Sequence, residues 1–495
     1  MLPLRSRGRI RSAPPPPTRE GSAGRRSCSG ALTAILTFLR CPVSVVADLA
    51  PVFDAQLFAD RRERFLAELG GVAAVIPAAT LVTHHADTEW PFRQNSDFWY
   101  LTGFDEPDAV ALFLSHRPEG ERFVLFVNPR EPAAEVWTGR RWGCEGAVER
   151  FGADLSHPRV ELDALLPQYL DGAEGIAFRV GSHPSIEPLV LRSWGAQLDR
   201  VSRTGSAAQA LVAPCPLLHR MRLRKQPAEL ERLREACRIS ASAHELARAA
   251  VRPGMTERKI QALIEQHFLE LGARGAAYGS IVAGGDNACV LHYIDNSAVL
   301  QDGDLLLIDA GCSLRDYYNG DITRTFPVSG RFSGEQRELY SLVLEAQEAA
   351  IARVKPGHTA EDVHDAAVHV LVQGLVDLGL LVGEVDGLIE QGSYRHLYMH
   401  RTGHWLGLDV HDVGAYRLGE HHVQLEPGIV LTVEPGLYIS DRLAVPEGQP
   451  AIDERWKGIG IRIEDDVAVR DLEDVSCGHE VLTAGALKAV ADMER

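Results

Sequence analysis

Cysteine is scarce and scattered: eight residues in 495, at positions 28, 41, 144, 215, 237, 289, 312 and 477. No Cys-x-x-Cys occurs, which argues against a thiolate zinc site or a thioredoxin-like redox pair. So few thiols in so long a chain fit a reducing compartment without structural disulfides, and a cytoplasmic location is expected. No apolar run reaches the roughly 20 residues that cross a bilayer, so no membrane partner is expected. Positive charge is also in short supply. Lys and Arg number 51 against 68 Asp and Glu, a net −17, which argues against a nucleic-acid surface.

What is present is ordinary for a globular protein: 45% apolar and 24% charged residues. The length exceeds one ordinary core and predicts two domains. Residues 1–52 stand apart. Eight arginines from Arg5 to Arg40 are opposed only by Glu20 before Asp48, Pro14 to Pro17 form a rigid tract, and Ala31 to Leu39 are apolar. This reads as a disordered or targeting-like tail, with organelle targeting the alternative to a cytoplasmic address. From 53 to 218, helical and strand patterns alternate as in an α/β domain. Gln56 to Leu69 has a helical apolar stripe, and Val72 to Ile76, Ala109 to Leu114 and Arg122 to Val127 read as strands.

A different pattern occupies 219–495. Pro227 suits a first helical turn, Thr256 an N-cap, and Ser333 with Gln336 a capping box. Thr359 starts a further helix. Two of these helices follow near-identical text, Val251-Arg-Pro-Gly-Met-Thr256 and Val354-Lys-Pro-Gly-His-Thr359. Later, Gly303-Asp-Leu-Leu-Leu-Ile-Asp309-Ala-Gly311 is echoed by Gly428-Ile-Val-Leu-Thr-Val-Glu434-Pro-Gly436. The order is the same in both halves, so the region reads as a duplicated unit of helices followed by strands that end in a carboxylate.

Leu305 to Ile308 reads as a buried strand, and Asp309 at its end needs a cation or a proton, since an unpaired buried charge is costly. A turn-rich segment leads to Asp321-Ile-Thr-Arg-Thr-Phe326, which alternates like a strand. A hairpin then sets Asp321 against Asp309, and two close carboxylates repel unless a metal lies between them. In the second half, Glu434 ends the strand Ile429 to Val433, and Ile459 to Glu464 places Glu464 on the paired strand. Asp321 thus answers Glu464, as Asp309 answers Glu434. His404 adds one imidazole, which predicts two inequivalent sites, one bound by oxygen alone. Oxygen-rich ligands with one nitrogen suit Mn²⁺, Co²⁺ or Zn²⁺. Two such ions can share and acidify a water, giving hydroxide at neutral pH. A single aspartate at a strand end is more often a turn former; the reading rests on five residues in a repeated frame.

At these residues the chain resembles the pita-bread metallopeptidases of family M24, above all aminopeptidase P. The matching text is Ile308-Asp-Ala-Gly311, Asp321-Ile-Thr-Arg-Thr-Phe-Pro327, His404-Trp-Leu-Gly-Leu-Asp-Val-His-Asp-Val-Gly414, Leu431-Thr-Val-Glu-Pro-Gly-Leu-Tyr438 and Gly460-Ile-Arg-Ile-Glu-Asp-Asp466. In the first domain it is Pro91-Phe-Arg-Gln-Asn-Ser-Asp-Phe-Trp-Tyr-Leu-Thr-Gly-Phe104.

The resemblance implies an α/β creatinase-like N-terminal domain and an α+β pita-bread catalytic domain with a pseudo-two-fold repeat. It implies a proline-specific metalloprotease that releases the residue before a second-position proline, by attack of a metal-bridging hydroxide. Two divalent ions, Mn²⁺ by family habit, would be held by Asp309, by His404 with Glu434, and by bridging Asp321 and Glu464. Glu434 would also be the base, His411 would hold the substrate carbonyl, and His292 would contact the substrate near the scissile bond. Asp97, Tyr438 and Arg462 match residues that link the first domain to the site and support the metal shell. The family forms homodimers or homotetramers in which a neighbour's first domain helps close the site. The loop from Asp309 to Asp321 is one residue longer than the common family pattern, so a register shift or a bulge is expected. A Xaa-Pro dipeptidase shares all five ligands and stays open as an alternative, as does a non-catalytic peptide-binding module on the same fold. Activity without metals, of the creatinase type, is disfavoured by retention of the five.

Overall fold

The computed structural model describes residues 55–494, and the Arg-rich tail lies outside the described residues. Helix Ala55–Leu69 buries Phe58, Phe65 and Leu69, as its apolar spacing requires, but also Arg61 and Arg62. Arg61 is covered because Glu229 lies 3.2 Å away and the Tyr100 ring 4.1 Å beneath its guanidinium. Both partners are remote in sequence, so periodicity alone could not place this charge inside.

A six-stranded sheet follows, ordered Leu155–Pro158, Phe123–Val127, Val110–Leu114, Val72–Pro77, Gly175–Ala177, Leu211–Val212. Phe123–Val127, Val110–Leu114 and Val72–Pro77 are antiparallel; the outer additions are parallel. Val110, Leu112 and Leu114 face Leu162, Leu166 and Val190 on one side, while Ala111 and Phe113 face Phe65 on the other. With both faces covered, the three central strands are apolar throughout instead of alternating.

In the second region, the caps read from the sequence form. Thr256 accepts from the Lys259 N–H ahead of helix Glu257–Glu270. Ser333 and Gln336 close a capping box ahead of Gly334–Ile351, and Thr359 and Asp362 another ahead of Ala360–Asp377. The repeat is also visible in the bridges: Thr256 pairs with Val299 and Thr359 with Gln424. Each of those partners lies six residues before its own half's strand (299 to 305, 424 to 430). Among the described residues no helix is long and apolar enough to cross a membrane.

The hairpin Leu305–Asp309/Thr323–Pro327 runs without a register shift, Leu305 opposite Pro327 and Asp309 opposite Thr323. The longer loop is absorbed at its tip, where the buried Tyr317 takes φ 70°, so no bulge is needed in the ladder. In the second half, Val433 stands opposite Asp465 and Gly436 opposite Arg462. One register therefore continues through the break between the two ladders and sets Glu434 against Glu464.

This corrects the expected correspondence by two residues. Continuing the first ladder past Asp309–Thr323 sets Asp321 against Gly311, the place that Arg462 takes against Gly436. Asp321 is the counterpart of Arg462, and Thr323 that of Glu464. Nor does Asp321 face Asp309 directly; it precedes the strand by two residues and is a diagonal neighbour. A two-residue offset leaves a side chain on the same face of a ladder, which is why convergence still occurs. The two halves meet where the Glu464 N–H donates to the Thr323 carbonyl at 3.1 Å and the Thr325 hydroxyl to the Arg462 carbonyl at 3.0 Å.

His244, on helix Pro227–Ala250, supports the first hairpin from behind. Its Nε2 donates to the Ala310 carbonyl at 2.9 Å, and burial, outweighing that bond, holds its pKa down to about 4. Between pH 6.5 and 4 the unfolded chain takes up a proton that the folded chain refuses. Stability therefore falls as pH drops through that window, by at most about 3 kcal/mol from this residue. Denaturant midpoints measured from pH 7 to 4 are expected to decline less steeply in His244→Gln than in the wild type. Parallel slopes would refute this role.

Candidate active site

Asp309, Asp321, His404, Glu434 and Glu464 all line one cavity of about 1520 Å³. Each is set by a different local device. Asp309 ends its strand, and Glu434 and Glu464 sit opposite each other at the break of the second ladder. Close approach at Gly311 admits Asp321: a Cβ there would lie 1.6 Å from the Gly320 carbonyl oxygen. Gly403 is under the same constraint, with a Cβ 1.9 Å from the Thr432 carbonyl oxygen. That contact lets His404 accept the Thr432 N–H on its carbonyl at 2.9 Å and donate its own N–H to the Thr432 hydroxyl at 3.0 Å.

The His404 ring is oriented by its own neighbour. Nδ1 lies 3.1 Å from the Trp405 carbonyl, so it carries the proton and leaves Nε2 facing Asp321 Oδ2 at 3.4 Å and Glu434 Oε1 at 3.6 Å. Burial opposes a charge on this ring, but Asp321 and Glu434 outweigh it and raise its pKa to about 9. The Thr323 hydroxyl donates to Glu464 at 2.7 Å. Arg462 binds Asp309 at 2.6 Å, the Thr323 hydroxyl at 3.0 Å and the Tyr438 hydroxyl at 3.1 Å. Arg462 and Tyr438 thus brace the carboxylates.

The carboxylates are short of positive charge. Burial, with Asp321 adding to it against Arg462, raises Asp309; burial pushes Glu434 up to about 7 despite His404 and Arg462. Glu464 rises well above the usual range, through burial and then Asp321, Glu434 and Asp309. Arg462 is the guanidinium in contact with the cluster. Such a group either takes up protons or holds cations, and its donors, four carboxylates and one imidazole nitrogen, are those of a divalent-metal site.

The remaining sequence candidates divide. His292 and His411 line the same cavity, the His411 ring centroid 4.2 Å from that of His404. Asp97 does not line it. Its Oδ1 takes Arg222 Nη1 at 2.7 Å, and Arg222 Nη2 reaches Asp409 at 2.8 Å and Asp412 at 2.5 Å, on either side of His411. Asp97 therefore touches the site only through Arg222, which is buried between elements far apart in sequence.

Several residues at the site went unassigned in the sequence. Tyr278 puts its hydroxyl 2.6 Å from Asp309 and within hydrogen-bond reach of Asp321. It lies in Gly275-Ala-Ala-Tyr-Gly279, where no periodicity marks it. Asp466 accepts the Asp321 N–H at 2.9 Å and the Cys237 thiol at 3.1 Å. It follows Glu464 by two residues and so shares its face of the strand, while Asp465 between them points to the other; that spacing was the available signal. His400 bonds the Tyr438 hydroxyl at 2.7 Å.

A duplicated hairpin pair converging on buried carboxylates and one imidazole defines a pita-bread hydrolase dependent on divalent metal. Two family models match in succession: the aminopeptidase P N-terminal domain over residues 58–177 and metallopeptidase family M24 over 231–471. The chain is 43% identical to the Xaa-Pro aminopeptidase of Escherichia coli, over 89% of this chain and 97% of that one. It is equally close to the Haemophilus influenzae Xaa-Pro aminopeptidase, at 43% over 88% and 96%. Among solved structures, Pseudomonas aeruginosa aminopeptidase PepP superposes with a TM-score of 0.83 at 43% identity, covering 89% of this chain and 97% of that one. Proline aminopeptidase P II from Yersinia pestis gives 0.82 at 42%, covering 89% and 98%. The chain belongs to metallopeptidase family M24, in its aminopeptidase P branch.

Proposed function

We propose that this enzyme releases the N-terminal residue from peptides whose second residue is proline. The observation that carries this reading is the meeting of Asp309, Asp321, His404, Glu434 and Glu464 on the floor of a peptide-sized cavity. It occurs in a chain 43% identical to Xaa-Pro aminopeptidases over nearly their full length. Those relatives favour the aminopeptidase over the Xaa-Pro dipeptidase.

Asp309, Asp321, His404, Glu434 and Glu464 would hold two divalent ions, which we assign as Mn²⁺. When bound, they supply Lewis acidity that makes water nucleophilic at neutral pH. The protein does the rest. Glu434 takes the proton of the attacking water and returns it to the departing proline nitrogen. His411 donates to the carbonyl oxygen as charge develops on it, and His292 orients the substrate beside the scissile bond. Arg462, held by Tyr438, fixes the Asp309 carboxylate. Proline lacks the N–H by which extended substrates are usually gripped, so a dedicated cavity takes the place of strand pairing.

We further read 53–218 and 219–495 as the two domains, the location as cytoplasmic, and the assembly as a homodimer or homotetramer. Val136 and Trp137, 82% and 88% exposed, give that assembly an apolar surface to cover.

The test is a panel of Xaa-Pro dipeptides and longer Xaa-Pro peptides, assayed after chelation and re-addition of single metals. Cleavage of the longer peptides is expected to vanish on chelation and return most fully with Mn²⁺. Activity confined to dipeptides would make the chain a dipeptidase, and full activity in chelator would overturn the metal assignment.

A further inference from the structure

A second group of donor side chains lies outside the catalytic cavity. Cys215 and His219 are four residues apart on helix Cys215–Leu223 and share one face of it. Asp97 approaches them from helix Ser96–Thr102. One ligand atom from each of the three lies within 4.8 Å of the other two, and all three residues are half-buried. Asp97 Oδ2 is 3.6 Å from His219 Nε2. Its other oxygen is occupied by Arg222 at 2.7 Å, which turns Oδ2 toward the pair.

We propose that Asp97, Cys215 and His219 form a binding site for a thiophilic divalent cation of the Zn²⁺ class, separate from the catalytic metals. A thiolate, an imidazole and a carboxylate, with water completing a tetrahedron, is a donor set that zinc accepts. The catalytic cluster offers no sulfur, so the two sites select different ions. Partial exposure gives the ion a route in.

The absence of Cys-x-x-Cys hides such a site, because only one thiolate is used and its carboxylate partner lies 118 positions earlier. A cation there would clamp helix Ser96–Thr102 to helix Cys215–Leu223. The clamp would also steady Arg222, which holds Asp409 and Asp412 around His411. Without metal, Asp97 and then Cys215 raise His219 to about 9. The cation must therefore displace a proton, and binding strengthens as pH rises.

Co²⁺ titrated into the full-length protein tests the site. A thiolate ligand gives a near-ultraviolet charge-transfer band that oxygen and imidazole ligands do not. The wild type is expected to show this band, Asp321→Ala to keep it, and Cys215→Ser to reduce it to about a tenth or less. Cys215→Ser is also expected to lose one bound cation per chain by elemental analysis. No band in the wild type, a band surviving in Cys215→Ser, or a band lost in Asp321→Ala would each overturn the proposal.

Discussion

Replacing Glu434 with alanine is expected to lower kcat on a Xaa-Pro peptide by ~10²–10⁴-fold, the range typical of a lost general base. The fold should survive. Glu434 is buried among like charges, with Asp321 and Asp309 both opposing its ionisation. In the metal-free protein its removal relieves repulsion with Asp321 and Asp309, and the hydrogen bond it costs is the long one from the Thr432 hydroxyl at 3.2 Å. Thr432 Oγ1 keeps the His404 N–H that it accepts at 3.0 Å. The backbone N–H of residue 434 keeps its bond to the Thr402 carbonyl at 2.8 Å. The metal-free variant should therefore melt at or above the wild-type temperature. A kcat within tenfold of wild type, with full metal content, would remove Glu434 from the role of base.

The largest stability effect is expected at Arg324. Its side chain is 2% exposed and crosses from the first hairpin to the second half. Nη2 binds Asp465 at 2.7 Å and the Ala486 carbonyl at 2.7 Å, Nη1 the Thr323 and Glu464 carbonyls at 3.0 and 2.5 Å, and Nε the Leu487 carbonyl at 3.0 Å. Asp465 is wholly buried. Burial alone would raise its pKa, but Arg324 and Lys488 hold it well below the usual carboxylate range.

Arg324→Met keeps the bulk but removes every donor, leaving a buried carboxylate with one cation fewer and the Glu464, Ala486 and Leu487 carbonyls without the guanidinium. The cost is expected to be on the order of 3–5 kcal/mol in denaturant unfolding. Arg324→Met combined with Asp465→Asn should recover part of it, since the stranded charge is gone. A single variant within about 1 kcal/mol of wild type would show that the crossing does not hold the halves together.

Arg324 also shows where sequence reading stops. It stands in the middle of Asp321-Ile-Thr-Arg-Thr-Phe326, text read as an alternating strand with a carboxylate at its head. Alternation says only that Arg324 faces away from Thr323 and Thr325. That the other side is filled by Asp465 and the turn at Ala486 depends on contacts more than 140 residues away. Arg61 and Tyr278 were hidden for the same reason. The expected pairing of Asp321 with Glu464 erred differently, through matching carboxylate to carboxylate when the ladder matches Thr323 to Glu464.

By itself the sequence determined the caps, the buried strands, the repeat and the five side chains of the candidate site. Each of those is written locally, in periodicity of 3.6 or 2, in a capping residue, or in a short motif, although His404 has no counterpart in the other half. The tertiary structure alone decided the register between strands and the partners of the buried charges. It also decided that Asp97 reaches the site through Arg222, and that Cys215, His219 and Asp97 meet. Those depend on which elements approach one another, and a buried charge or donor acquires its role from neighbours the chain brings in from far away.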